Sequence, residues 1–211
     1  MTAALQTPID ELKRLYAPPK TPVMVTVPPL SFLAIDGRGD PNTSPEYQDA
    51  IKTLYSLSYT LKFALKKECG RDYRVGPLEA LWWADDMTGF GTNPAKDDWS
   101  WTMMIAQPDA VTPDRLARVR EEVARKKPLA ALSRVRLGPF DEGLCAQVLY
   151  IGPYSAEGPA IARLHDFIHA QGYHFDGRHQ KHHEIYLSDP RRAAPEKWKT
   201  IIRQPVAPVD A

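Results

Sequence analysis

One order of elements occurs twice in this chain, and it limits the fold more than any other feature: strand, helix, strand, strand. The first pass runs through SFLAIDGRGDPN (31–42), a helix from Glu46 to Glu68, PLEALWWADD (77–86) and WSWTMMIAQP (99–108). The second runs through GLCAQVLYIGPY (143–154), a helix from Ser155 to Gly172, HEIYLSD (183–189) and KWKTIIRQPV (197–206). The closing segments WTMMIAQP (101–108) and WKTIIRQP (198–205) align without gaps and share Trp, Ile, Gln and Pro. The preceding strands align on a carboxylate, Glu79 in LEALWW and Glu184 in HEIYLS. A short match in matching structural context reads as duplication; two unrelated α+β stretches are the competing reading.

Local signals support the element order. Ser44-Pro45 opens the first long helix, and Tyr47, Ile51, Leu54, Tyr55, Leu57, Leu61, Ala64 and Leu65 keep a helical period. Gly70 stops it. Thr112-Pro113 caps a further helix that ends near Arg125, Lys126 and Lys127, where cations suit the negative end of the dipole. Thr7-Pro8 opens a short helix to Tyr16; Pro18, Pro19 and Pro22 then forbid helix, and PVMVTVP (22–28) reads as a strand.

The predicted fold is α+β: a tandem pseudo-two-fold repeat of strand-helix-strand-strand units, each an antiparallel sheet with a helix on one face, enclosing a central ligand groove. Residues 1–30 form an N-terminal helix and strand, 31–110 the first repeat, 111–128 a linking helix and 129–211 the second repeat. Together they make one domain.

Composition removes several functional classes. Lys plus Arg number 27 against 26 for Asp plus Glu, a net charge of +1, so there is no global basic field to hold nucleic acid or anionic lipid. No apolar run approaches the ~20 residues of a membrane span. MTAALQTPIDELKRLY carries acids early and lacks an apolar stretch, unlike a secretory signal. Cys69 and Cys145 alone exclude a disulfide scaffold and a four-Cys metal site, so a reduced, cytoplasmic setting is expected. GRGDP (37–41) is not a phosphate loop, no dinucleotide fingerprint is complete, and no G-x-S-x-G nucleophile elbow occurs. No cofactor is implied.

Clefts between duplicated units are where small molecules usually bind. Strand side chains alternate faces. With Ile185 and Leu187 against the helix, Glu184 and Tyr186 face the cleft. By the repeat, Glu79, Leu81 and Trp83 face it from the other unit, and Trp82 packs under the helix, unless a one-residue slip exchanges the tryptophans. Trp101 shares a face with Met103 and Ile105. Aromatic walls sandwich planar ligands, and a desolvated carboxylate with rings attracts a cation. Burial raises a carboxyl pKa, which would make Glu184 a general base near neutral pH, with Tyr186 a donor to a developing oxyanion. The plainer readings are that strand aromatics are core and a strand Glu is a solvated charge. His174, His179, His182 and His183 fit no standard metal spacing and read as loop histidines, and Cys145 reads as core.

Long segments of the chain resemble the GyrI-like small-molecule-binding family. They are LKRLYAPPKTPVMVTVP (12–28), FLAIDGRGDPN (32–42), LYSLSYTLK (54–62), PLEALWW (77–83), MIAQPDAVT (104–112) and HEIYLSDPRRAAPEKWKTIIR (183–203). They look most like the stand-alone subfamily without a DNA-binding module. The resemblance implies an acidic residue at the groove floor, which falls on Glu184. It also implies hydrolysis of cyclopropane-bearing DNA-alkylating natural products of the yatakemycin type in an aromatic cage, a detoxifying role. Trp83 and Trp101 are the first cage candidates, then Trp82; Tyr55, Tyr59, Tyr150, Phe140 and Met103 are lesser ones. The expected partners are planar aromatic or cationic small molecules. Rival readings are a non-catalytic sequestering protein and a module that meets a protein partner through the cleft or its rim.

Overall fold

The computed structural model describes residues 13–85, 96–177 and 181–209. Ten strands and three longer helices are assigned among them. In chain order these are β1 (Val23–Val27), β2 (Leu30–Arg38), α1 (Pro45–Cys69), β3 (Leu78–Trp83), β4 (Ser100–Gln107), α2 (Pro113–Lys126), β5 (Arg136–Phe140), β6 (Gly143–Ile151), α3 (Gly158–Ala170), β7 (Tyr173–His174), β8 (His182–Tyr186), β9 (Lys199–Pro205) and β10 (Ala207–Pro208). Of the expected N-terminal helix, residues 7–12 lie outside the described residues, and Lys13–Leu15 form one 3-10 turn.

Both units form as the repeat predicts, and they share one sheet. Its eight strands run β1-β6-β9-β8-β3-β4-β2-β5, all neighbours antiparallel. The first unit supplies β2, β4 and β3; the second supplies β8, β9 and β6. The seam is β3 against β8, with Ala80 opposite Glu184 and Trp82 opposite His182. β7 and β10 make a separate small ribbon. β5 was not anticipated; it carries Pro139, and as an edge strand it needs fewer ladder bonds, which is where Pro is tolerated.

The connections force the sheet to curl. β1 and β2 are separated only by Pro28-Pro29, and β5 and β6 only by Asp141-Glu142, yet each pair is split between opposite ends of the sheet. The ends therefore meet. Phe140 on edge strand β5 reaches the ring of His183 on central strand β8 at 6.2 Å.

The helices sit on the outer face. Ser44 caps α1 by accepting from the Tyr47 amide at 3.3 Å, and Gly70 ends it in the left-handed region at φ 66°. Leu54, Leu57, Leu61 and Leu65 of α1 bury against Leu33, Ile35, Ala80, Met103 and Ile105. α2 adds Leu116, Val119 and Val123 to the same core. α3 buries Ala160, Leu164 and Ile168 against Ala146, Val148 and Ile202.

The inner face is a second core: Leu15, Val27, Cys145, Ile185 and Ile201 on one side, and Phe32, Ala34, Leu81, Met104 and Ala106 on the other. Among them lies a buried ionic network. His183 lies between Glu142 (Nδ1 to Oε1, 2.8 Å) and Glu79 (Nε2 to Oε2, 3.0 Å). Arg203 donates to Glu142, to Gln147 and to the Leu15 carbonyl, and Tyr16 donates to Glu79 at 2.9 Å.

One glycine is fixed by packing. Gly37 pairs with Trp101 across β2 and β4, and a Cβ on Gly37 would stand 2.1 Å from the indole Cη2. Trp101 is fully buried and has no room to retreat. Gly37→Ala is expected to cost about 1–3 kcal/mol through overpacking, read as a lowered urea midpoint at unchanged m-value; an unchanged midpoint would show the ring can move.

Candidate functional site

The seam strands lie between the strands covered by α1 and those covered by α3, on the outer face. Side chains that point there are Ala80 and Trp82 from β3, His182, Glu184 and Tyr186 from β8, and Thr200, Ile202 and Gln204 from β9. This reverses one expectation. Glu184 and Tyr186 point toward the helix side, because the curl gives the sheet an apolar core on both faces. Ile185 is consumed by the inner core, and the helix side at the seam is left for the polar set.

Glu184 is 7% exposed. His182 Nε2 lies 3.1 Å from its Oε1, and the Tyr186 hydroxyl donates to its Oε2 at 2.7 Å. The Tyr186 oxygen in turn accepts from Trp82 Nε1 at 3.1 Å. Gln204 Nε2 faces His182 Nδ1 at 3.2 Å; with the amide donating, the imidazole hydrogen is on Nε2 and points at Glu184. A second carboxyl meets the first. Glu157, the residue before α3, hydrogen-bonds Glu184.

Two buried carboxyls in contact do not both ionise. Burial, then the neighbouring Glu184 charge and hydrogen bond, push Glu157 up to about 10, with Lys96 opposing. Burial would raise Glu184 as well, but His182, Tyr186 and Glu157 outweigh it and hold Glu184 below the usual carboxylate range. Glu184 is therefore the charged member, contrary to the expectation that burial would make it a base near neutrality. Burial and the Glu184 charge also raise the Tyr186 and Tyr47 hydroxyls, and raise Tyr154 to about 12.

Rings surround the pair. Tyr47, in the first turn of α1, lies 5.9 Å from Trp82 and 5.4 Å from Trp101. Trp99 meets Trp82 edge-on at 5.7 Å. Tyr154 meets Tyr186 at 5.6 Å and Trp198 at 4.8 Å. Lys96 stands 4.9 Å over the Trp99 ring.

Of the residues singled out in sequence, Glu184, Tyr186 and Trp82 come together, and Trp101 touches the group through Tyr47. Glu79 and Trp83 do not. Both point to the inner face, where Glu79 belongs to the ionic network and Trp83 lies against the inner core under Lys181. Aligning Glu79 with Glu184 is one residue out of register, and one residue reverses the face. Phe140 is on the inner face against Phe32 and His183. Met103 is fully buried under α1. Tyr55 stacks on Tyr59, which is exposed on α1, and Tyr150 bonds the Pro153 carbonyl beside α3. His182 and His183 point to opposite faces and cannot share an ion; His179 lies outside the described residues. Among the described residues no three His, Cys, Asp or Glu side chains group to hold a metal.

Tyr47, Trp99, Tyr154, Glu157 and Trp198 were missed, and His182 and His183, expected as loop histidines, are buried on β8, with His182 beside Glu184. Tyr154 and Glu157 could have been found from the repeat itself. The turn from opening strand to helix brings the start of α1 (Tyr47) and the start of α3 (Tyr154, Glu157) to one seam.

The model of the GyrI-like small molecule binding domain matches residues 20–207. The chain belongs to this family. This GyrI-like chain is 40% identical to an uncharacterized conserved protein from Listeria innocua, over 96% of this chain and 100% of that one, with a TM-score of 0.88. A hydrolase from Listeria innocua is likewise 40% identical over 96% and 100% of the two chains, with a TM-score of 0.83. The C-terminal domain of EcmrR shares the GyrI-like fold alone, at 13% identity and a TM-score of 0.53 over 90% of this chain and 98% of that one. No functionally curated protein matches the chain. No helix among the described residues is long and apolar enough to cross a membrane.

Proposed function

We propose that this protein hydrolyses planar, electrophilic small molecules whose reactive centre is an activated cyclopropane, of the yatakemycin type, and so protects DNA from alkylation. The observation that carries the reading is the buried carboxyl of Glu184, hydrogen-bonded to a second carboxyl and walled by Trp82, Tyr186, Tyr47, Tyr154 and Trp99. The family assignment and the 40% identity to a hydrolase support it. Flat walls select a flat ligand by stacking. The carboxyl pair orients a water, and its negative charge stabilises the positive charge that grows on the water oxygen during attack. The strained ring is already reactive, so little catalysis suffices: about 3 kcal/mol off the barrier is roughly a hundredfold.

A second reading is favoured by the same charge. One net negative charge enclosed by rings suits lipophilic cations, and a protein that only held them would sequester without turnover. Glu184→Gln separates the two. As a hydrolase, the variant loses roughly a hundredfold in turnover of a spirocyclopropyl cyclohexadienone and keeps much of its affinity for a neutral planar ligand. As a cation binder, it loses cation affinity and has no turnover to lose. Wild-type protein that leaves the substrate at its spontaneous hydrolysis rate would overturn the hydrolase reading.

A further inference from the structure

The attacking water has little room on Glu184. One Glu184 oxygen faces His182 Nε2 and the other accepts from Tyr186. Glu157 differs: it bonds Glu184, yet its Oε2 is buried and unpartnered. On the adjoining strand, Thr200 lies directly opposite Tyr186, on the same face, and its hydroxyl is also buried and unpartnered. Gln204 Oε1 is buried and unpartnered too, but of these three oxygens only that of Glu157 belongs to a carboxyl, the group that can take a proton on one oxygen and pass one from the other.

The geometry points to Glu157 as a catalytic residue: its Oε2 receives the proton of the attacking water while its other oxygen passes a proton to Glu184. This rests on the hydrolase reading and assigns the residue that first touches water. A carboxyl can do this because it has an accepting oxygen on one side and a donating one on the other. The charged Glu184 is the sink that makes Glu157 able to accept.

The step balances. Water oxygen bonds to the cyclopropane methylene carbon, and the bond from that carbon to the spiro centre breaks. The electron pair moves through the ring to the carbonyl oxygen, which takes a proton from solvent and becomes a phenol. The water's proton goes to Glu157, and Glu157's own proton goes to Glu184. The pair then returns one proton to solvent, and the net change is addition of one water. The groups that face Glu157 are Glu184 on β8, Lys96 before β4, Tyr150 on β6 and Tyr154 in its own turn. They set when it holds its proton, and burial with the Glu184 charge keeps it protonated at neutral pH.

The test compares wild type with Glu157→Gln and Glu157→Asp on a spirocyclopropyl cyclohexadienone, together with infrared spectra at pH 7. Glutamine keeps a hydrogen bond to Glu184 but cannot pass a proton. Glu157→Gln is expected to lower kcat roughly a hundredfold with KM within about twofold. Aspartate is expected to restore part of the rate, and the carbonyl stretch of a protonated carboxylic acid, present in wild type, is expected to disappear in the glutamine variant. Wild-type kcat in Glu157→Gln, or no protonated carboxyl band in wild type, overturns the assignment. If wild type opens no cyclopropane ring, the hydrolase reading falls on that arm alone, and the infrared band still decides whether the two carboxyls share a proton.

Discussion

Replacing Glu142 by Gln is expected to destabilise the protein by about 3–5 kcal/mol, although the residue is on the opposite side of the sheet from the seam site. Glu142 lies in the two-residue link between β5 and β6 that closes the curl. From there it reaches inward to His183 at 2.8 Å and to Arg203 at 3.1 Å. His183 and Arg203 are at most 1% exposed, so removing the shared carboxylate leaves two buried cations short of a partner. Breaking a buried pair costs more than the pair contributes, because the surviving charge cannot return to water.

The network also sets how stability depends on pH. Burial alone would lower the His183 pKa, but Glu142 and Glu79 outweigh it and raise it to about 9. In an unfolded chain a histidine titrates near ~6.5. The stability His183 contributes is therefore complete below about 6.5 and is lost as pH rises through about 9. Glu142 runs the other way: despite burial, His183 and Arg203 hold it below the usual carboxylate range. Its contribution is present above its unfolded value near ~4.3 and is lost as pH falls through the depressed folded value. Urea midpoints measured from pH 5 to pH 10 should fall on the alkaline side in wild type. In Glu142→Gln they should be lower throughout and flatter over that alkaline range. An unchanged midpoint at pH 6, or an alkaline decline of the same depth, would remove the network from the account of stability.

This network marks where the sequence stopped being legible. The repeat, the capped α1 and the alternation of apolar residues were readable because they are local: Ser44, Gly70 and the leucine spacing act over a few residues. The curl is not local. It follows from two short links, at residues 28–29 and 141–142, joining strands that end up at opposite edges. Nothing in either link says which strands will pair at the seam. Once the curl buries both faces, the rule that apolar means helix side and polar means cleft fails, and Glu79, Glu184, His182 and His183 must each find a partner inside. Glu184 and Tyr186 were found because Tyr186 is two residues on from Glu184. Glu157 was not, because Ser155 looked like a helix start, whereas a 3-10 turn over Tyr154–Ala156 comes first and leaves Glu157 as the residue facing the seam.

The two adjacent tryptophans of β3 give the sharpest contrast between sequence and structure. Trp82→Ala is expected to cost about 3–5 kcal/mol of stability and to lower affinity for a planar aromatic ligand at least about tenfold, ~1.4 kcal/mol. Trp82 is 4% exposed, packs between Tyr47 and Trp99, and donates to the Tyr186 hydroxyl that itself holds Glu184. Removing it opens a cavity, deletes a wall of the site and loosens the hydroxyl on the charged carboxylate. Trp83 lies one residue further, on the inner face, half-buried beneath Lys181 at 4.4 Å. Trp83→Ala should cost a fraction as much stability and leave planar-ligand affinity within about twofold, because an apolar contact at a partly exposed site carries less burial. If Trp82→Ala does not fold, Trp82→Phe keeps a smaller ring wall while losing the Nε1 donor and part of the packed ring area, so ligand affinity should fall less than in Trp82→Ala. Fluorescence titration with a neutral planar probe, beside urea denaturation, reads both quantities. Loss of binding in Trp83→Ala with binding intact in Trp82→Phe would put the ligand on the inner face. It would also return Glu79, in place of Glu184, as the carboxylate of the site.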